Sequence, residues 1–177
     1  MVRSKSWDYY EWRRPGVPAD GFGRRVETGG QTPEILEDSM MEGGCLCGAL
    51  RYRVDAEPLD AGYCHCSLCR RSTGAPVLAW ASVPAAAFTY TKGEPAVYRS
   101  SSWGQREFCT TCGTQICYRD QGAPETVETV EINSGCLDDP SSAPPRHHIH
   151  DADRIPWFET ADALPRFPGA KLGKEPR

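Results

Sequence analysis

The 177-residue sequence has no hydrophobic run long enough to cross a membrane. Its longest stretch without a charged residue, residues 72–91, is polar at both ends and contains Gly74, Pro76 and Pro84. A membrane-spanning helix needs about 20 consecutive, mostly apolar residues. The N-terminal region also lacks the apolar run of a secretory signal. These absences lead us to expect a soluble, cytoplasmic protein that does not act at a membrane.

An excess of positive charge is absent as well. Lysine and arginine together number 20 against 24 aspartate and glutamate residues, which gives a formal net charge of -4. Because nucleic acid binding depends strongly on cationic contacts to phosphates, we expect no nucleic acid partner. Hydrophobic residues make up 39% of the chain, which argues against wholesale disorder and, at this length, favours a single folded domain.

Cysteine, by contrast, is abundant, with nine residues. A reducing cytosol does not maintain a disulfide framework, and nine is an odd number. Clustered thiols in such a chain indicate zinc. Seven of the nine lie in three clusters, formed by Cys45 and Cys47, by Cys64, Cys66 and Cys69, and by Cys109 and Cys112.

The first and third clusters each end in a glycine, Gly48 or Gly113, which permits the tight turn of a zinc knuckle. Together the two clusters supply four thiolates, a complete tetrahedral set for one zinc ion. The ligand count therefore predicts one structural zinc shared by both clusters, although Cys47 and Cys109 lie 62 positions apart. Such an ion would hold the two ends of the domain core together.

The middle cluster provides only three ligands, Cys64, Cys66 and Cys69. Three protein ligands and an open fourth position are typical of a catalytic zinc, and we predict such a site here. Three thiolates leave the ion with net negative charge, which suits it to hold an incoming thiol as a nucleophilic thiolate. The alternative is a closed site whose fourth ligand is one of His65, Cys117 and Cys136.

Two arginines, Arg70 and Arg71, directly follow the middle cluster. We predict that they bind the anionic groups of a thiol, although compensation of the thiolate charge is an equally good interpretation. The histidines of residues 147–150 suggest a surface edge strand more than a metal site. The tryptophans Trp80, Trp103 and Trp157 are either core residues or walls of a pocket.

Short strands separated by turns fill the chain from residue 42 onward. Leu50, Tyr52 and Val54 alternate with arginines, the period of a half-buried strand, and further strands are predicted at residues 77–81, 96–99, 114–119 and 127–132. The sequence thus predicts a single all-β domain stapled by zinc. The predicted zinc-binding domain covers residues 42–170, and a tail follows at residues 171–177.

Residues 1–41 differ from the rest in composition and form a predicted N-terminal extension. It is either poorly ordered or an arm that docks through aromatic residues such as Trp7 and Trp12. A third interpretation is that translation starts at Met40 or Met41.

Three ordered motifs resemble the family of glutathione-dependent formaldehyde-activating enzymes, which includes centromere protein V. They run from Gly43 to Ala49, from Tyr63 to Arg71 and from Phe108 to Gly113. The resemblance covers about residues 42–169.

The resemblance implies a β-rich fold with two zinc ions per chain. One would be structural and the other catalytic, with the ligands divided as above. It also implies lyase chemistry at a carbon–sulfur bond, with glutathione or another small thiol as substrate and formaldehyde as the aldehyde. The alternative function is a non-catalytic, zinc-stapled module that binds other proteins.

Overall fold

A computed structural model describes residues 40–120 and 128–171. Over these residues the chain forms ten β-strands and one short α-helix, which confirms the all-β, single-domain prediction. In chain order the elements are β1 (Met40–Gly44), β2 (Arg51–Asp55), β3 (Asp60–Cys64), α1 (Ser67–Thr73), β4 (Leu78–Pro84), β5 (Phe88–Lys92), β6 (Ala96–Arg99), β7 (Gly104–Phe108), β8 (Gln115–Asp120), β9 (Thr129–Asn133) and β10 (His148–Ile149).

The strands assemble into two sheets. A three-stranded sheet has the order β1-β2-β5, and a seven-stranded sheet has the order β10-β3-β4-β9-β8-β7-β6. Neighbouring strands are antiparallel throughout, except that β10 pairs with β3 in parallel. The pairing places β3, which ends in Cys64, between β4 and the edge strand β10.

The core contains residues from both sheets, with every second residue of the central strands facing inward. Val83 and Ala81 of β4 are fully buried, as is Ile132 of β9, and they belong to one apolar cluster with Tyr52 and Phe88 of the smaller sheet. The rings of Tyr52 and Phe88 stack with their centroids 5.2 Å apart. Full burial of each large apolar side chain contributes about 1.5–3 kcal/mol to stability.

The alternate residues of the same strands face away from this core. Trp80 and Ser82 of β4 are paired in register with Asn133 and Glu131 of β9, and all four line a cavity. One face of the seven-stranded sheet therefore packs on the smaller sheet, and the other face builds the site described below.

The predicted strands match β2, β4, β6, β8 and β9, with β6 at its predicted bounds. The edge strand expected in residues 147–150 corresponds to β10, whereas β1, β3, β5, β7 and the helix were not predicted. The predicted extension lies almost wholly outside the described residues, as does most of the tail. The described part of the domain begins with β1 at Met40, and Met41 is buried in the core. No helix of the described chain combines the length and apolar character needed to traverse a bilayer.

Candidate functional site

Four thiols meet where the turn after β1 approaches the turn after β7. The sulfur atoms of Cys45, Cys47, Cys109 and Cys112 all lie within 4.8 Å of one another. The Cys45 and Cys47 sulfurs are 3.5 Å apart, and the Cys47 and Cys109 sulfurs are 3.8 Å apart. Sulfurs at the corners of a tetrahedron with zinc–sulfur bonds of about 2.3 Å would be separated by about 3.8 Å. This four-thiol group thus has the donor atoms and spacing that a zinc ion requires.

Local backbone geometry holds the four-thiol group. Gly48 and Gly113 close the two turns with φ angles of 71° and 75°, a left-handed conformation that other residues rarely adopt. The backbone amide of Leu50 donates a hydrogen bond to the Cys45 sulfur over 3.2 Å. Hydrogen bonds from the Thr114 hydroxyl and amide lower the pKa of Cys112 to about 5. These donors favour the thiolates that bind a metal ion.

A second group of three thiols lies where β3 leads into α1. Cys64 ends β3, Cys66 caps the helix and Cys69 lies in its first turn, and their sulfurs lie within 4.8 Å of one another. Hydrogen bonds from the neighbouring thiols of Cys64 and Cys69, then from backbone amides, lower the pKa of Cys66 to about 2. In the described part of the chain, no histidine or carboxylate joins this three-thiol group, nor does a fourth cysteine.

His65, one of the candidates for a fourth ligand, is fully buried and bonded elsewhere. Its Nε2 atom lies 2.8 Å from Nδ1 of His148, and His148 Nε2 lies 3.0 Å from a carboxylate oxygen of Asp162. The His148 ring also stacks on Tyr63, at 4.9 Å between centroids. This chain of contacts fixes the loop that carries Cys64 and Cys66.

The structure corrects the prediction that residues 147–150 form a strand on the surface. His147 and His148 are 3% and 0% exposed, so the surface position expected for this segment is wrong. The segment does form an edge strand, as expected. A later segment covers β10, since the His148 amide donates to the Pro165 carbonyl over 2.8 Å and the Phe167 amide donates to the His148 carbonyl over 2.9 Å.

The three-thiol group opens on a cavity of about 470 Å³, which we call the thiol cavity. All three cysteines line it. Its other lining residues include Trp80, Trp103, Arg106, Tyr118, Glu131 and Asn133. Two of the three singled-out tryptophans thus line the cavity, whereas Trp157 is 74% exposed.

Arg106 is a site residue that the sequence reasoning missed. It is 7% exposed, its Nη2 atom lies 4.0 Å from the Cys69 sulfur, and its guanidinium lies 5.2 Å from the centre of the Tyr118 ring. In the sequence it precedes Glu107 and looks like one half of an exposed charge pair. Its short distance from Cys109 in the sequence does not single it out, because its contacts with Cys69 and Tyr118 depend on tertiary packing.

The two predicted anion-binding arginines lie elsewhere. Arg70 donates a hydrogen bond from Nε to the His65 carbonyl over 3.2 Å, and neither Arg70 nor Arg71 lines the thiol cavity. Arg71 lines a smaller neighbouring cavity. Their role in binding a substrate stays a prediction.

The sequence comparisons agree with this geometry. The family model described as glutathione-dependent formaldehyde-activating enzyme matches residues 40–153, more than half of the chain. The chain belongs to this family. The resemblance carried by the three cysteine motifs is thereby confirmed. The described segment that holds all seven clustered thiols lies within the match.

Three known proteins are similar to this chain. An uncharacterized lyase of Schizosaccharomyces pombe is 35% identical over 85 residues, which cover 44% of this chain and 56% of that protein. The chain thus spans little more than half the length of this relative. A putative glutathione-dependent formaldehyde-activating enzyme of Halomonas elongata is 29% identical over 129 residues, covering 68% of this chain and 80% of that protein. A Rhodobacter sphaeroides protein of known crystal structure is 28% identical over 55% of this chain and 88% of its own, with a TM-score of 0.45.

Proposed function

We propose that the protein is a zinc-dependent carbon–sulfur lyase that acts on the adduct of an aldehyde with glutathione or a similar small thiol. The observation that carries the proposal is the three-thiol group, which has no fourth protein ligand among the described residues and lines a cavity. Family membership supports the same chemistry, since relatives are named as a lyase and as a formaldehyde-activating enzyme.

Two zinc ions per chain would be held by the two thiol groups. The four-thiol group offers a complete tetrahedral set, which suits a structural ion, and the three-thiol group leaves one position for a substrate. A zinc ion bound by Cys64, Cys66 and Cys69 supplies a position at which a thiol binds as its thiolate near neutral pH. We therefore assign these three cysteines to the catalytic site.

The proposed reaction adds a thiol, RSH, to formaldehyde to give RSCH₂OH, and the reverse reaction cleaves the same bond. The sulfur lone pair forms the carbon–sulfur bond, the electron pair of the carbonyl π bond moves to oxygen, and the oxygen takes up a proton equivalent to that lost by the thiol. Trp80 and Trp103 line the cavity and supply apolar surface beside the three-thiol group.

Glu131 is the group in the thiol cavity best suited to carry this proton. Burial raises the pKa of its carboxyl, while hydroxyl groups of Ser82 and Thr129 donate hydrogen bonds to Oε1 over 2.9 Å and 3.1 Å. A carboxyl that holds its proton nearer to neutral pH can give it to the adduct oxygen and recover it in the reverse reaction. We infer that Glu131 acts as this acid and base.

Exchange NMR with ¹³C-formaldehyde and glutathione tests the proposal, because it measures adduct formation above the spontaneous rate. We expect zinc-loaded protein to accelerate the exchange. In the Cys69→Ser variant this acceleration should be at least about tenfold smaller, because one metal ligand is removed. Cys136→Ser is the matched control, since among the described residues the Cys136 thiol belongs to neither thiol group and donates a hydrogen bond to the Gln115 carbonyl.

The alternative, a zinc-stapled module that binds other proteins, predicts a different result. Wild-type protein would then carry zinc, bind no small thiol and leave the exchange rate at its spontaneous value. Calorimetric titration with glutathione separates the two functions, and absence of both binding and acceleration would overturn the lyase proposal.

A further inference from the structure

A second cavity of about 410 Å³ adjoins the thiol cavity. We call it the arginine cavity, because Arg71 and Arg106 line it. The two cavities share Leu68, Ser100 and Arg106 as lining residues. A molecule with its sulfur at the three-thiol group could therefore extend past Arg106 into the arginine cavity.

The charges of the two cavities differ in sign. Asp60, Asp120 and Glu131 line the thiol cavity, whereas the arginine cavity has two guanidinium groups and no aspartate or glutamate among its lining residues. Within residues 40–120 and 128–171, no carboxylate lies within 4.0 Å of Arg71 or Arg106. The arginine cavity is thus a cationic site whose two guanidinium groups have no carboxylate partner among the described residues.

Two buried donors in the wall of this cavity also lack acceptors among the described residues. Arg106 and Gln115 are each only 7% exposed, and Nη1 of Arg106 and Nε2 of Gln115 have no hydrogen-bond partner. A buried charged or amide donor without an acceptor is costly. The other terminal nitrogen of Arg106, Nη2, lies 4.0 Å from the Cys69 sulfur. An anionic ligand would satisfy both donors.

We propose that the arginine cavity binds a carboxylate of the substrate thiol while the sulfur of that thiol is bound at Cys64, Cys66 and Cys69. Arg106 lines both cavities and binds the carboxylate together with Arg71 and Gln115. The proposal rests on the proposed function for the position of the sulfur. It narrows the substrate class to small thiols that carry a carboxylate, in preference to neutral thiols and amino thiols.

Calorimetric titration of zinc-loaded protein with two thiols of similar size provides the test. The probes are 3-mercaptopropionate, which has a carboxylate, and 2-mercaptoethanol, which is neutral. We expect the wild type to bind the carboxylate thiol at least about tenfold more tightly, because a hydrogen bond to a charged group is worth that much or more. Added salt should reduce this preference, because part of it is electrostatic.

Substitutions assign the preference to named residues. Arg71→Gln should weaken binding of 3-mercaptopropionate several-fold to tenfold or more and leave the affinity for 2-mercaptoethanol within about twofold. Arg106→Gln should weaken binding of both thiols, because Arg106 also lies 4.0 Å from the Cys69 sulfur, and should weaken that of 3-mercaptopropionate more. Arg99→Gln is the matched control, because Arg99 is an exposed arginine of the neighbouring strand β6 that lines neither cavity. Zinc content and melting temperature, measured for each variant, identify any variant that has lost its fold.

The outcomes separate the two proposals. Equal wild-type affinity for both thiols, or an equal effect of Arg71→Gln on both, would overturn the carboxylate site and leave the lyase proposal intact. If neither thiol binds the zinc-loaded wild type, both proposals fail. If Arg106→Gln does not fold, Arg71→Gln decides alone, because Arg71 is exposed and its replacement leaves the core untouched.

Discussion

The sulfur atoms of Cys47 and Cys109 lie 3.8 Å apart although 62 positions separate the two residues in the chain. A metal ion between them would close a long loop, and metal binding at such a site is coupled to folding. We therefore expect Cys109→Ser to lower the melting temperature more than Cys66→Ser, by on the order of 10 °C. Calorimetry measures both, with Cys136→Ser as the control. Equal losses would contradict the division into structural and catalytic sites.

The two thiol groups also predict metal content. Purified protein should contain about two zinc ions per chain, since each group can hold one ion. Cys69→Ser should lower the content to about one and leave the four-thiol group loaded. Mass spectrometry under non-denaturing conditions counts the ions directly. A wild-type content of one would remove the three-thiol group from the metal sites.

A buried carboxylate between the sheets makes a large contribution to stability. Glu107 accepts hydrogen bonds from Arg119 at 2.6 Å, from Tyr90 at 2.9 Å and from the Cys117 thiol at 3.2 Å. Glu107→Ala leaves the Arg119 charge and two other donors unpaired, and we expect a loss of about 3–5 kcal/mol in the free energy of unfolding.

The control for Glu107→Ala is Asp55→Ala. Asp55 pairs with Arg53 at 2.8 Å, but both side chains are more than 40% exposed, so its removal should cost less than about 1 kcal/mol. Urea unfolding measures both variants. Similar costs would mean that the Glu107 network does not stabilise the fold.

The raised pKa of Glu131 predicts how the stability of the fold changes with pH. Burial, together with nearby Asp60 and Asp120, raises the pKa of its carboxyl in the folded state. The folded protein therefore binds this proton more tightly than the unfolded chain, and stability falls as the pH rises from about 4 through the folded-state pKa. Glu131→Gln cannot ionise and keeps an acceptor for Ser82 and Thr129. Its stability relative to the wild type should increase with pH.

Melting temperatures between pH 4 and pH 8 check this, with the exposed Glu128→Gln as control. Comparison with the wild type at each pH cancels the pH dependence of metal binding. A difference between Glu131→Gln and wild type that stays constant across the range would show that Glu131 ionises equally in both states.

The domain boundaries of the sequence prediction remain to be tested. Deletion of residues 1–39 removes no residue of β1, which begins at Met40 and pairs with β2. We expect zinc content and melting temperature to stay close to those of the full chain. A collapse of solubility after the deletion would indicate instead that the Trp7 and Trp12 region docks on the domain.

The thiol groups could be predicted because their chemistry depends on short spacings and ligand count. Cys64, Cys66 and Cys69 share one turn and the start of a helix, so sequence distance reflects spatial distance. Arg106 could not be predicted, because its neighbours Cys69 and Tyr118 come from α1 and β8 and meet it only through tertiary packing and strand register.

The strands likewise divide into those that the sequence pattern predicts and those that depend on pairing with a neighbouring strand. Alternating apolar residues predicted β2, where Tyr52 and Val54 face the core. The pattern failed for β1, whose sequence includes Gly43 and Gly44, residues with low strand propensity. Pairing with β2 overrides that propensity, and it places Gly43 directly opposite Tyr52.

The His65–His148 contact, made across 83 positions, can form only after His148 has been synthesised. At a translation rate of about 5–20 residues per second, His148 follows His65 out of the peptidyl transferase centre by roughly 4–17 seconds. During that interval the loop carrying Cys64 and Cys66 lacks the packing that fixes it. The nascent thiols are then open to oxidants and to competing metal ions. A metal ion bound by Cys64, Cys66 and Cys69 before residues 148–167 are made would be held without β10 beside β3.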